Sequence, residues 1–211
     1  MAALLARAPC DDLRVAVLVS GGGSNLQALL DDQSHYRVQV VLSNRPGVRA
    51  LSRARARGVA AVVVDHKAFL DRPAFEDAML SALRVHDVEV VVLAGFMRVL
   101  TPRFLDAFPQ RVVNVHPALL PSFPGLHGAR QALAFGARVA GCTVHLVDSG
   151  VDTGPILAQA SVPVHDDDNE SSLQKRIQVQ EHLLLPRVIN AYALGQVVVR
   201  RGAIRCMMEE R

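Results

Sequence analysis

Three polar residues near the middle of the chain have the types and spacing of an acyl-transfer site. Asn114 and His116 lie two apart in an otherwise apolar run, and Asp152 follows in a glycine-containing loop. Strand side chains alternate between faces, so Asn114 and His116 are expected on one face, and Pro117 ends the strand because it cannot donate to the ladder. An amide can hold a developing oxyanion, an imidazole can move a proton, and a carboxylate can orient that imidazole. The alternative is a structural histidine, although two buried polar groups would still need partners.

The elements that must position these residues follow an alternating pattern. Strands are predicted over residues 14–19, 38–42, 60–64, 89–93 and 112–115, and two longer ones over 142–147 and 156–164. Helices are predicted over residues 25–30, 49–57, 73–85 and 102–108, with a long one from 171 to about 193. This alternation predicts an α/β fold: a Rossmann-like, doubly wound, mostly parallel sheet with helices on both faces, extended by C-terminal strands and the long helix.

The unusual residues follow the predicted strands directly. The first strand is followed by a serine–glycine loop, the second by Ser43 and Asn44, the fourth by Gly95-Phe-Met97, and the fifth carries Asn114 and His116. In open α/β sheets ligands bind beyond the carboxyl ends of the strands. The sequence therefore predicts a binding site along this edge of the sheet.

The loop after the first strand reads Ser20-Gly-Gly-Gly23-Ser24-Asn25 and leads into a helix. Glycines allow close approach of the backbone to a ligand, and free N–H groups at a helix start attract an anion. Leu26 stands where a dinucleotide fingerprint needs glycine, and neither a Walker loop nor a nucleophile elbow is present. We expect this loop to bind a monophosphate; a tight turn with Ser24 as helix cap is the alternative.

One carboxylate interrupts the apolar stripe of the long helix. Glu181 falls four residues after Ile177 and three before Leu184, so it is expected to face the interior. It either pairs with a nearby arginine or accepts hydrogen bonds from ligand hydroxyls. His127 and His145 are expected to be pocket wall or core, since metal-binding spacings and HExxH are lacking and no metal site is predicted.

Composition narrows the function classes. The 211 residues carry a formal charge of +3 with scattered arginines and few aromatics, which favours an anionic small molecule over nucleic acid. Three widely spaced cysteines and the lack of a membrane-length apolar run predict a reduced, cytoplasmic protein. We expect residues 1–13 to be a disordered tail and residues 14–211 to form a single domain.

With these residues in hand, the chain resembles the phosphoribosylglycinamide formyltransferases from about residue 14 to 193. The resemblance is carried by the glycine loop with its flanking strand and by four further motifs in order: Leu93-Ala-Gly-Phe-Met-Arg98, Asn114-Val-His-Pro117, Pro124-Gly-Leu-His127 and Asp152-Thr-Gly-Pro155. That family transfers the formyl group of 10-formyltetrahydrofolate, a co-substrate, to the amine of glycinamide ribonucleotide in purine biosynthesis. No metal and no covalent enzyme intermediate are implied.

The resemblance also implies roles for particular residues. Asn114, His116 and Asp152 match the catalytic residues; Gly23, Ser24 and Asn25 match the phosphate loop, and Glu181 the acid that binds the ribose. The positions that match folate contacts are Arg72, Met97, Arg98, Val99, Leu100 and the loop Asp148, Ser149, Gly150, Val151 and Asp152. The implied partners are these two small molecules, with no nucleic acid and no membrane, for a monomer or homodimer.

Four positions depart from the family's usual pattern. Gly22 stands where asparagine is frequent, Ala118 replaces a frequent serine, Ser122 a frequent basic residue, and Gln178 a lysine that some members place near the phosphate. Phosphate affinity is therefore expected to depend more on backbone N–H groups. The three positions that match the catalytic residues keep the family's residue types.

Two related enzymes and one binding class are the alternatives. Formyltetrahydrofolate hydrolase carries an additional N-terminal domain, and methionyl-tRNA formyltransferase carries a C-terminal RNA-binding domain and an Arg-Gly turn where this chain reads Ser122-Phe-Pro-Gly-Leu-His127. Residues 1–13 are too few for the hydrolase's extra domain, so the transferase is preferred. A non-catalytic phosphate-binding domain would keep the glycine loop but would not need Asn114, His116 or Asp152.

Overall fold

The computed structural model describes residues 12–200 and 203–206. The expected N-terminal tail therefore lies, apart from its last two residues, outside the described residues. Within the described part of the chain, seven strands form one sheet in the order β3-β2-β1-β4-β5-β6-β7, and β8 and β9 form a separate antiparallel pair. The strands are β1 (Leu13–Val19), β2 (Tyr36–Ser43), β3 (Ala60–Val63), β4 (Val90–Leu93), β5 (Val112–His116), β6 (Val139–Leu146), β7 (Ile156–Pro163), β8 (Val197–Arg200) and β9 (Ala203–Cys206).

The first five strands are parallel, and β6 and β7 continue the sheet in antiparallel pairing. The sheet thus confirms the predicted Rossmann-like, mostly parallel fold and its C-terminal extension. The chain moves outward from β1 to β3 and then returns to place β4 on the other side of β1. This reversal between β1 and β4 opens a crevice at their carboxyl ends, which is where ligands bind in such sheets.

Six α-helices of the described residues cover the sheet. They are α1 (Ser24–Asp31), α2 (Arg49–Ala56), α3 (Arg72–Arg84), α4 (Pro102–Leu105), α5 (Gly128–Phe135) and α6 (Glu170–Ala193). Buried residues of α1, α2, α5 and α6 share a core cluster with one face of the sheet, and those of α3 and α4 pack on the other face. The side chains of β1 alternate between these two faces: Val15 and Val17 pack against the first group of helices, and Ala16 and Leu18 pack against the second.

Sequence features explain where α6 begins. The side chain of Asn169 accepts hydrogen bonds from the amides of Ser171 and Ser172 at 2.9 and 3.0 Å, and Ser172 Oγ accepts from the Asn169 amide at 3.0 Å. This reciprocal capping box satisfies amides that the helix itself leaves without partners. Asp168, just before the cap, adds a bidentate ion pair to Arg176, which also stabilises the start of the helix.

Two parts of the fold were not predicted. Helix α5 follows a proline- and glycine-rich loop and begins after His127, whose backbone is left-handed, while the β8–β9 hairpin follows the long helix. The predicted helix over residues 102–108 is shorter in the structure, since α4 ends at Leu105. In the described part of the chain, no helix is both long and apolar enough to cross a membrane.

Candidate active site

Strand β5 positions the first two candidate residues. Val113 and Val115 belong to the core cluster under α1 and α6, so Asn114 and His116 project from the opposite face, as their spacing predicts. Antiparallel pairing places Asn114 opposite His145 and His116 opposite Thr143. Directly opposed residues on one face are close neighbours, which brings His145 of β6 beside Asn114.

Asp152 completes the cluster from the loop after β6. Its Oδ2 lies 3.3 Å from Nδ1 of His116, and its Oδ1 lies 3.5 Å from Nδ2 of Asn114 and 3.6 Å from Nε2 of His145. Its backbone φ of 55° is left-handed, and its carboxylate accepts a hydrogen bond from the Gly125 amide at 2.8 Å. The structure therefore brings Asn114, His116 and Asp152 together, with His145 as a fourth member.

Opposing effects act on the pKa of Asp152. Burial disfavours the charged carboxylate, but the contact with His145, the hydrogen bond from the Gly125 amide and the positive charge that the imidazoles can carry outweigh it, so the pKa of Asp152 is lowered. Asp152 is therefore a carboxylate at neutral pH. Such a group can orient an imidazole and accept a proton shared with it.

The two histidines are held by backbone carbonyls. Nε2–H of His116 donates to the Phe123 carbonyl at 2.9 Å, and Nδ1–H of His145 donates to the Leu146 carbonyl at 2.8 Å. Nε2 of His145 then faces the site, 3.1 Å from Nδ2 of Asn114. When the imidazole is neutral, this nitrogen accepts from the Asn114 amide and orients its NH₂ group within the site.

A cavity of about 390 Å³ opens in front of this cluster. Asn114, His116, Asp152, His127 and His145 line it. Seven of the residues that the sequence predicts to contact folate also line the cavity: Met97, Arg98, Val99, Leu100, Asp148, Gly150 and Val151. Large apolar side chains are exposed around it: Met97 at 58%, Val99 at 53%, Leu126 at 68% and Val151 at 54%. Exposed apolar side chains that line a cavity beside a few polar groups are typical of a small-molecule site.

Two residues of the predicted folate set do not line this cavity. Arg72 is exposed at the first position of α3, and Ser149 is exposed between two lining residues of its loop. His127 lines the cavity and its Nδ1 lies 3.4 Å from Oε1 of Glu170. Among the described residues, no group of His, Cys, Asp and Glu is arranged to hold a metal ion.

The glycine loop forms a second part of the site. Gly23 is the N-cap of α1 with φ of 74°, and a Cβ at this position would lie 2.7 Å from Cβ of Ala50. A side chain there is excluded both by the left-handed backbone and by this contact. The N-cap of α1 is Gly23 and Ser24 is its first helical residue, so the Ser24-cap alternative is wrong; among the described residues no side chain caps the helix, and its first amides are available to an anion.

Glu181 reaches the glycine loop from α6. It is 4% exposed, and its Oε2 accepts from Nδ2 of Asn25 at 2.9 Å, across 156 residues of sequence. Burial raises the pKa of Glu181, and the hydrogen bond from Asn25 opposes that rise. Oδ1 of Asn25 is buried without a hydrogen-bond partner among the described residues. Two buried acceptors therefore lie together beside the glycine loop.

Arg53 of α2 was not predicted as part of the site. Its Nε donates to the Gly22 carbonyl at 3.0 Å and one terminal nitrogen donates to Oε1 of Gln27 at 2.8 Å. These bonds hold a positive charge against the glycine loop. Four arginines lie between residues 49 and 57, and their spacing alone does not indicate which one faces the loop.

Comparison with known proteins identifies the family. The family model described as formyl transferase matches residues 13–189. The chain belongs to the formyl transferase family. It is 47% identical over 201 residues to the phosphoribosylglycinamide formyltransferase of Mycobacterium tuberculosis, with 92% of each chain covered. The enzyme of the same name from Escherichia coli K12 is 40% identical over 195 residues, covering 90% of this chain and 92% of that protein.

Solved structures and longer relatives give the same family. The glycinamide ribonucleotide transformylase 1 of Symbiobacterium toebii aligns with a TM-score of 0.90 at 45% identity, covering 93% of this formyl transferase chain and 94% of the other. The trifunctional purine biosynthetic protein adenosine-3 of Drosophila melanogaster is 46% identical over 192 residues. This chain spans only 14% of the length of that relative.

Proposed function

We propose that this formyl transferase transfers the formyl group of 10-formyltetrahydrofolate to the amine of glycinamide ribonucleotide, a step of purine biosynthesis. The observation that carries the proposal is the cluster of Asn114, His116 and Asp152, which lines a largely apolar cavity. The uncapped start of α1 and the two buried acceptors Glu181 and Asn25 Oδ1 support a sugar-phosphate ligand nearby. Relatives that bear the transferase name at 40 to 47% identity agree with it.

The glycine loop and α6 would hold the ribonucleotide. The amides that follow Gly23 would donate to its phosphate, and Glu181 and Oδ1 of Asn25 would accept from ribose hydroxyls. A carboxylate that already has one hydrogen bond can accept others, and the hydroxyls would satisfy the unpaired acceptor. The apolar side chains of Met97, Val99 and Val151 would pack against the folate rings, leaving the formyl group beside Asn114.

The chemistry needs one attack and one net proton transfer. The substrate amine attacks the formyl carbon, and Nδ2 of Asn114 stabilises the oxyanion that develops. His116 in its protonated form adds a positive charge there. Asp152 orients His116 and assists the transfer of the amine proton to the folate nitrogen as the carbon–nitrogen bond to folate breaks. The products are the formylated amine and tetrahydrofolate, and no covalent bond to the protein forms.

The test is deformylation of 10-formyltetrahydrofolate, followed by absorbance, with and without glycinamide ribonucleotide. We expect loss of the formyl-folate that depends on the ribonucleotide and yields formylated ribonucleotide in equal amount. Equal rates without the ribonucleotide would indicate the hydrolase. No loss in either case, together with binding of the ribonucleotide, would indicate a non-catalytic phosphate-binding domain.

A further inference from the structure

A chain of hydrogen-bonded polar groups, of which Ser20 and Asn44 are buried, crosses the carboxyl ends of four neighbouring strands. Ser20 directly follows β1 and Asn44 directly follows β2, while His66 and Met97 lie in the segments after β3 and β4. Ser20 is 5% exposed and Asn44 is fully buried. Neither side chain lines the cavity, yet Ser20 directly precedes the glycine loop, and Met97 begins the segment predicted to bind folate.

One hydroxyl joins three of these strands. Oγ–H of Ser20 donates to Oδ1 of Asn44 at 2.6 Å, and the same oxygen accepts from the Met97 amide at 2.9 Å. The Ser20 amide also donates to the Gly95 carbonyl at 3.2 Å. Ser20 is thereby bonded to both ends of the segment 95–97 and to the strand on its other side.

Asn44 extends the chain to the fourth strand. Nδ1–H of His66 donates to the Asn44 carbonyl at 2.8 Å, and the His66 amide lies 3.4 Å from the same oxygen. The strands that end at these residues are consecutive in the sheet, in the order β3-β2-β1-β4. Because an unpaired buried polar group is costly, displacement of any one loop would leave partners unsatisfied in the next.

We propose that Ser20 and Asn44 are positioning residues that hold the glycine loop and the segment 95–100 at a fixed separation. The inference rests on the function proposed above, in which the first loop binds the ribonucleotide and the second binds folate. Neither residue touches a reacting atom. Their effect is on the distance between the amine and the formyl carbon, where an error of about 1 Å can cost 10²-fold in rate.

Replacement of the hydroxyl tests this directly. Ser20→Ala removes both side-chain bonds, and we expect about a tenfold fall in kcat/KM for both substrates, the size expected from loss of buried hydrogen bonds. Asn44→Ala should have a similar effect. The double variant should lose much less than the product of the two single losses, because both act through one contact.

A buried hydroxyl at the other end of the sheet provides the matched control. Tyr36 begins β2, is fully buried, and its Oη–H donates to the Leu29 carbonyl at 2.8 Å. Tyr36→Phe should lower the melting temperature as much as Ser20→Ala does, while leaving kcat/KM for both substrates unchanged. Equal losses of kcat/KM in the two variants would show that the effect is general destabilisation and would overturn the proposal. A kcat/KM of Ser20→Ala within twofold of the wild-type value would overturn it as well.

Amide hydrogen exchange separates this inference from the proposed function. The Met97 amide, which donates to Ser20 Oγ, should be protected in the wild-type protein and exchange faster in Ser20→Ala, with a parallel increase at Ala50, whose amide donates to the Gly21 carbonyl. Ser20→Cys, which keeps a side-chain donor but weakens the hydrogen bonds, should give an intermediate rate and replaces the alanine variant should that one fail to fold. Unchanged Met97 exchange would overturn the coupling even in an active enzyme. If the wild-type protein is inactive, the proposed reaction is wrong. The exchange of the Met97 amide would then still show whether Ser20 couples the two loops.

Discussion

Asn114 and His116 project from the face that their spacing in the sequence predicts. The same spacing does not reveal His145, the residue that orients Asn114. His145 is 31 positions away and meets Asn114 only because β6 pairs with β5 in an antiparallel register. A strand sequence does not specify its partner, so the sequence could place His145 only as pocket wall or core. The same applies to Arg53, which reaches the glycine loop from the next helix.

Asp152→Asn tests the role of the carboxylate. We expect kcat to fall by about 10²-fold or more, the usual size of a general acid–base contribution, with little change in either KM, because the amide cannot hold the charge beside His116. Asp77→Asn is the control, since Asp77 forms an exposed ion pair with Arg103 outside the cavity. Turnover near that of wild type would remove Asp152 from the mechanism.

Glu181→Gln tests the ribose contact. The amide retains an oxygen for Asn25 but loses the charge, and hydrogen bonds to a charged acceptor are worth about 1.5–3 kcal/mol. We expect the KM for the ribonucleotide to rise by about tenfold or more while the KM for formyl-folate stays the same. Asp31→Asn, which changes an exposed carboxylate of α1, should alter neither value. If Glu181→Gln leaves the ribonucleotide KM unchanged, the carboxylate has a structural role and does not bind the ribose.

Helices and strands whose periodicity was clear were predicted within a few residues. Helix α5 was not, although Ala129 and Ala132 are buried three apart and Gly136 ends it with a left-handed backbone. Its first turn follows a glycine and a proline-rich loop, which concealed the pattern. The direction of β6 and β7 also could not be predicted, because antiparallel pairing depends on the turns between strands and on tertiary contacts.

The capping box at α6 gives a prediction about stability. Asn169→Ala should lower the free energy of unfolding by about 1 kcal/mol, because the amides of Ser171 and Ser172 lose their acceptor. Urea unfolding would measure the change. Ser171→Ala, an exposed substitution at the neighbouring position, should shift it by less than about 0.5 kcal/mol. Equal effects in the two variants would show that the cap contributes nothing specific.

The ion pair between Asp168 and Arg176 beside that cap gives a prediction about stability at low pH. Hydrogen bonds from Arg176, and then from Ser172 and the His165 amide, lower the pKa of Asp168. A carboxylate with a lowered pKa stabilises the fold fully above its unfolded pKa of about 4, and this contribution is lost as the pH falls through the lower folded value. The difference in unfolding free energy between wild type and Asp168→Asn should therefore be constant above about pH 5 and shrink below pH 4. A difference that persists unchanged to pH 2 would contradict this.

For the whole molecule, the fold class and most site positions follow from the sequence because the strand order places every loop after a parallel strand at one edge. Their mutual distances do not follow, since they depend on side-chain contacts such as that between Asn25 and Glu181. Arg72 illustrates the difference, because its motif position predicts folate contact while the structure leaves it exposed outside the cavity.

Ribonucleotide binding should stabilise the molecule as a unit. The ligand would join α1, near the start of the chain, to α6, near its end, so unfolding of either would release it. At a ligand concentration of 100 times Kd the expected gain is about 2.7 kcal/mol, measured as a shift of one cooperative thermal transition. A transition that splits in two with ligand present would show that the two helices unfold separately.

The hydrogen bond between Nε2 of His116 and the Phe123 carbonyl has a consequence for side reactions. With Nδ1 facing Asp152 and Nε2 engaged by the loop, the imidazole of the ligand-free protein has no free nitrogen to offer a formyl group. Water that enters beside bound formyl-folate would find no acid ready to assist it. We therefore expect bound formyl-folate to be hydrolysed slowly when the ribonucleotide is absent, so that one-carbon units are not lost to futile hydrolysis.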